Sequence, residues 1–128
     1  MAKPAKKNLE LYQGSTWEQL VVVTTDAAGT VPMNLTGFQA RMQIREEVGS
    51  PDVILDLNPS NGRIAVADGP AGTIQIAVSA ADTAALPLDF EPQTYVYDLE
   101  LFRSTPAPEY VRKVLVGKVK CFPEVTRV

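Results

Sequence analysis

The sequence predicts an all-β chain, an antiparallel β-sandwich of immunoglobulin type with about eight strands and one short helical turn near 80–86. Three observations carry this. Apolar and polar residues alternate with a period of two, most cleanly over 38–45 and 95–101. β-Branched residues concentrate in 17–25 and in Tyr110–Phe122. Turn chemistry recurs every ten residues or so, the spacing of short strands in a sandwich. A closed barrel is the alternative, because alternation alone does not say whether the sheet edges meet.

Residues 1–8 form a basic, proline-containing arm ahead of a single domain, 9–128. Such an arm frays unless something holds it, either its own domain or, the favoured reading, a neighbouring subunit. On that reading, its removal weakens assembly and leaves the fold intact. Leu9–Tyr12 alternates and breaks at Gln13-Gly14-Ser15. The run 17–25 is a strand whose valines suggest burial on both faces for part of its length. Asp26-Ala27-Ala28-Gly29 is a turn, and Pro32 restricts 31–35 to an edge segment or connection. Thr36-Gly37 turns into 38–45, where even positions face a core and odd positions face water.

A charged loop, 46–52, leads to a short strand at 53–57 and the turn Asn58-Pro59-Ser60-Asn61-Gly62. Strands at 63–67 and Thr73–Val78 follow, and together the three read as a meander. Ser79-Ala80-Ala81-Asp82 has the spacing of a capping box and opens a helical turn that stops before Pro87. The last hairpin, around a loop rich in proline, is the element to which the other strands add. Tyr95, Tyr97, Leu99 and Leu101 share its core face. Its second strand is partly apolar on both faces, so alternation leaves the register open.

At 128 residues the chain is one domain with enough surface to bury a core. The net charge of -3 argues against a nucleic-acid-binding domain, and Lys3, Lys6 and Lys7 weigh little against that balance. The single cysteine, Cys121, excludes an intrachain disulfide and reads as a small buried hydrophobe. The N-terminus has charges but no apolar stretch behind them, and no run is long enough to span a membrane. The expected product is soluble.

The chain has no histidine, which removes the commonest general base, both histidine dyads and the commonest transition-metal ligand. Gly14-Ser15 lacks a nucleophile-elbow frame, and Gly69-Pro70-Ala71-Gly72 lacks the lysine of a phosphate loop. Asp98 and Glu100 share one strand face and could form an acid–base or calcium pair. The plainer reading is a solvated face matched by Lys113, Lys118 and Lys120 on the neighbouring strand. Asp52 and Asp56 lack calcium-loop spacing. Trp17 is either a sugar-stacking platform or, the favoured reading, core packing. Val96 and Phe102 bracket the charged face of their strand, so they are candidate partner contacts unless the 1–8 arm covers them. No catalytic, cofactor-binding or metal residue is assigned. Partner contacts are assigned to Lys3, Lys6, Lys7, Val96 and Phe102.

Several stretches, in this order, resemble the small β-sandwich proteins of tailed-phage baseplates and tail-fibre attachment regions. Gln13-Gly14-Ser15-Thr16-Trp17 opens a strand, and Asn34-Leu35-Thr36-Gly37 leads into the alternating run through Arg45. Asn61-Gly62-Arg63-Ile64, Gly72-Thr73-Ile74 and Tyr97-Asp98-Leu99-Glu100-Leu101 follow, and the close runs from Gly117-Lys118-Val119 to Pro123-Glu124-Val125-Thr126-Arg127. The resemblance covers most of the chain, and its motifs mark turns and strand entries.

The resemblance implies a virion component, made in the bacterial cytoplasm, that contacts other virion proteins and copies of itself in a symmetric assembly. It implies no enzyme activity, cofactor, membrane or nucleic acid. The chain lacks the long C-terminal extension of larger relatives, which favours an adaptor or ring role over direct host recognition. A capsid decoration protein and a carbohydrate-binding module are the alternatives.

Overall fold

A computed structural model describes residues 3–26 and 28–127, so Met1 and Ala2 of the arm, Ala27 of the first turn and Val128 lie outside the described residues. Among the described residues the chain forms nine strands: β1 (Ala5–Lys6), β2 (Leu9–Tyr12), β3 (Trp17–Val22), β4 (Gln39–Arg45), β5 (Leu55–Leu57), β6 (Ile64–Asp68), β7 (Thr73–Val78), β8 (Gln93–Arg103) and β9 (Tyr110–Phe122). One short helix, α1 (Ala80–Ala84), separates β7 from β8. The large sheet has the order β1-β9-β8-β4-β5, with β2 also paired to β9, and the small sheet has the order β3-β7-β6. The two sheets make a sandwich, not a barrel.

Alternation explains the packing. Ala40, Met42 and Ile44 from β4 and Tyr95, Tyr97, Leu99 and Leu101 from β8 point inward. They meet Val21, Ile74, Ile76 and Val78 of the small sheet in one core. Trp17 lies in that core at 6% exposure, so it is no sugar platform. Cys121 is buried too, and burial pushes its thiol up to about 11.

Two expectations are corrected, and the register left open is set. First, β5, β6 and β7 are not a meander. β5 pairs with β4 in the large sheet, and the chain crosses to the small sheet through 58–63. Asn58 and Asn61 bond each other's backbone there, and Arg63 Nη1 donates to the Asp56 carbonyl at 2.9 Å.

Second, the described part of the arm is held by its own domain, through residues 5–8 on β9. Ala5 pairs with Leu115 and Leu9 with Val119, in parallel and at one constant register. Residues 5–12 therefore form one edge strand, interrupted only at Lys7-Asn8, and the boundary at residue 8 is no break in the sheet. The Lys7 amide donates to the Val116 carbonyl at 2.9 Å, and the Asn8 side chain accepts from the Lys118 amide at 3.1 Å.

Third, the register of the final hairpin carries a bulge. Leu99 pairs with Leu115 but Glu100 pairs with Lys113, which leaves Val114 as the extra residue. Val114 and Leu115 are consecutive and both buried, which is why neither face of β9 reads as plainly core.

The helix is held at its cap. Ser79 accepts from the Asp82 amide at 3.2 Å. Thr83 is a buried polar residue with its bonding satisfied: its hydroxyl donates to the Ser15 carbonyl at 2.8 Å and accepts from the Gly14 amide at 3.0 Å. This ties α1 to the β2–β3 turn. Gly72, at φ +69, sits where a Cβ would meet the Val23 carbonyl oxygen at 2.6 Å.

Candidate functional site: the outer face of the large sheet

Because directly paired residues share a face, the register sets out the large sheet's solvent side row by row. Gln39, Phe102 and Val111 form one row, and Arg41, Glu100 and Lys113 the next. Asp56, Gln43, Asp98, Val116 and Lys6 form the third. Arg45, Val96 and Lys118 come after it, and Thr94, Lys120 and Glu10 follow. A groove of about 520 Å³ crosses the middle rows, with Val96 and Val116 in its lining and Val48 from the 46–52 loop at its rim.

Two of the carboxylates here, Asp98 and Glu100, are paired with cations. Lys113 Nζ lies 2.9 Å from Asp98 Oδ2 and 3.1 Å from Glu100 Oε2, and Arg41 Nε donates to Glu100 Oε1. Burial pushes the Glu100 carboxyl up, but the hydrogen bonds from Arg41 and Lys113 outweigh it and leave the group below its ordinary value. Lys113 is held above its ordinary value by its bond to Asp98, against the opposing effect of burial. Two ionised carboxylates under two cations form a structural network, not a poised acid–base pair.

Of the residues assigned as partner contacts, Val96 lies in the groove and Lys6 points out beside it. Phe102 is half-buried because the Arg41 guanidinium covers its ring at 4.4 Å, not because the arm does. Lys7 contributes its backbone to the β9 edge, and its carbonyl accepts the Tyr97 hydroxyl. Lys3 is elsewhere, in a cavity of about 620 Å³ that Arg112 also lines.

Lys118 and Lys120 share this face with Lys113 but ion-pair with no carboxylate among the described residues. Arg41 is the functional neighbour that sequence reasoning missed, since its contact with Glu100 depends on the pairing of β4 with β8. Arg103 was missed too, stacked 5.3 Å from the Phe38 ring and 5.0 Å from that of Tyr110.

Among the described residues no group of three or more potential metal-ligating side chains converges, and no helix is long and apolar enough to cross a membrane. No protein-family model matches the chain, and no curated protein matches it.

Proposed function

We propose that the protein is a structural component of a tailed-phage particle. It acts as an adaptor in the tail, baseplate or fibre-attachment ring, through contacts with other virion proteins and copies of itself. The observation that carries this reading is the outer face of the large sheet. Asp98 and Glu100 in its middle rows are occupied by Arg41 and Lys113, and beside them lies an open groove with Val48, Val96 and Val116 among its lining residues and Arg45 and Lys118 at its side. Such a surface suits an extended protein contact with an apolar centre and a charged rim better than the turnover of a small substrate.

The motifs behind the resemblance are consistent with a scaffold role. Gly37, Gly62 and Gly72 all sit at positive φ in the turns that set strand entries. With Trp17 in the core, a carbohydrate-binding role has lost its strongest platform.

The test is mass spectrometry of purified phage particles. The protein should be present, in a multiple of the tail symmetry. Its absence from particles ends the proposal, and hundreds of copies per particle would favour capsid decoration instead.

A further inference from the structure

The two outer faces of the sandwich differ in charge. The strands of the large sheet present six cations on this face (Lys6, Arg41, Arg45, Lys113, Lys118 and Lys120) against four carboxylates (Glu10, Asp56, Asp98 and Glu100), and Glu109 of the β8–β9 loop adds a fifth, 3.8 Å from Arg41. Since the whole chain is at -3, this face is a local excess of positive charge on an acidic protein. The Lys6 and Lys118 ammonium groups lie within ion-pair distance of no carboxylate among the described residues. Val116 stands beside Lys6 and Val96 beside Lys118, and Val48, which also lines the groove, is 90% exposed.

The small sheet is the converse. Its three strands contain no lysine or arginine. On its outer face the edge strand β3 exposes Leu20 and Val22, 57% and 55%, beside Ala77, Gln75 and Thr73 of the central β7 and Ala65 of β6. Glu18 stands at one end of this patch and Asp68 at the other. Exposed apolar residues rimmed by charge mark an interaction surface.

We propose that these faces bind each other between copies of the chain. The small-sheet face of one copy seats on the large-sheet face of the next, with Leu20 and Val22 over the Val96–Val116 groove and Glu18 and Asp68 toward Lys6, Lys118 and Arg45. Charge selects this pairing over the two symmetric ones. Small sheet on small sheet would bring acidic rims together, and large on large would bring the cationic excess together; like charges brought face to face cost affinity. A contact between unlike faces propagates, closing into a ring or growing into a filament. The proposal rests on the reading of the protein as a self-assembling scaffold and names the surfaces that such a scaffold uses.

The test is native mass spectrometry and sedimentation of the full chain over a range of concentration and salt, with the variants Leu20→Glu and Lys118→Glu. Both side chains are solvent-exposed, so both variants should melt like wild type. Lys118→Ala stands in if the charge reversal perturbs folding. Wild type should form species larger than a dimer that dissociate as salt rises, because exposed charges are screened beyond about 10 Å at 0.1 M. Each variant alone should assemble at least about tenfold more weakly, the loss expected on disrupting an interface centre.

An equimolar mixture of the two variants retains one intact pair of faces and should form heterodimers and nothing larger. A wild type that stays monomeric throughout overturns the proposal. So does a mixture without heterodimer, or assembly sensitive to Leu20→Glu but indifferent to Lys118→Glu. None of these results depends on whether the protein is found in phage particles, so the two readings fail separately.

Discussion

The Tyr97 hydroxyl donates a 2.6 Å hydrogen bond to the Lys7 carbonyl, across the one position in the middle of β9 that has no side chain. That position is Gly117, paired with Tyr97, where a Cβ would stand 2.0 Å from the Lys7 oxygen. The close approach of the arm therefore requires glycine, and this glycine needs no unusual φ. Gly117→Ala should push Lys7 off β9 and destabilise the domain by about 1–3 kcal/mol, as overpacking does. Thermal melting gives the stability change. Hydrogen exchange should show the Lys7 and Lys118 amides losing protection while β4 and β8 keep theirs. Unchanged protection at both amides would mean that the arm is not seated on Gly117.

Removing residues 1–8 tests the same seam from the other side. Because Ala5 and Leu9 share one register on β9, the truncated chain loses half of its edge strand and uncovers the β9 backbone opposite Leu115 to Lys118. An uncovered edge is a template for pairing with other chains. The expected outcome is lower stability and more aggregation, in contrast to the intact fold that an arm bound to a neighbour would leave behind. A truncated protein that melts like the full chain and stays dispersed would return the arm to a purely intermolecular role.

Tyr97 also sets an alkaline limit. Burial raises its phenol from 10.0 to about 12. A folded value above the unfolded one means that the contribution is complete below pH 10 and is lost as pH rises toward 12. At about 1.4 kcal/mol per unit, the loss from this group approaches about 3 kcal/mol. Cys121 acts the same way from 9.0 to about 11. Denaturant midpoints measured from pH 8 to 12 should fall steeply for wild type and less steeply for Tyr97→Phe, which cannot ionise. Equal slopes would show that the phenol is hydrated in the folded state. In the same series Cys121 should resist thiol reagents until the chain unfolds.

How far the sequence carried the architecture depends on where the information lies. Tyr95, Tyr97, Leu99 and Leu101 were legible as a core face because a strand with one buried side writes its burial into alternate positions. The Ser79–Asp82 cap was legible because capping is local. Val114 was not, because a bulge moves residues to the other face without changing composition. The exchange of β5 and β6 between sheets was likewise hidden, since a turn such as Asn61-Gly62 looks the same within a sheet as between two.

On the candidate site, Val96 was legible on the charged face of its strand and Lys118 on the strand beside it, though their pairing was not. Arg41 did not, because its partner Glu100 is 59 residues away and only the β4–β8 pairing joins them.

That pairing supplies the last prediction. Glu100 receives Arg41 on one oxygen and Lys113 on the other, and its side chain is 18% exposed, so the network is partly shielded from water. Its carboxyl lies below its ordinary value of 4.5 in the folded chain because the hydrogen bonds from those two cations exceed the opposing effect of burial. A depressed folded value contributes stability that is present above the unfolded pKa and lost as pH falls through the folded one. Wild type should therefore weaken progressively below about pH 4.5 through this group.

Glu100→Gln keeps the shape but cannot titrate. At neutral pH it should cost about 1 kcal/mol, the scale of a charge-assisted bond at a partly exposed site. It should also flatten the acid limb of the stability curve, so that wild type and variant converge as pH falls. Arg41→Ala should cost less when combined with Glu100→Gln than in wild type, because the nearer of its two partner charges is already gone and only the more exposed Glu109, at 3.8 Å, remains. If the two substitutions simply add, and the acid limb keeps its slope without Glu100, then the ion pairs on this face are solvated charges with no bearing on the fold. The groove beside them would then owe its shape to the backbone and the valines alone.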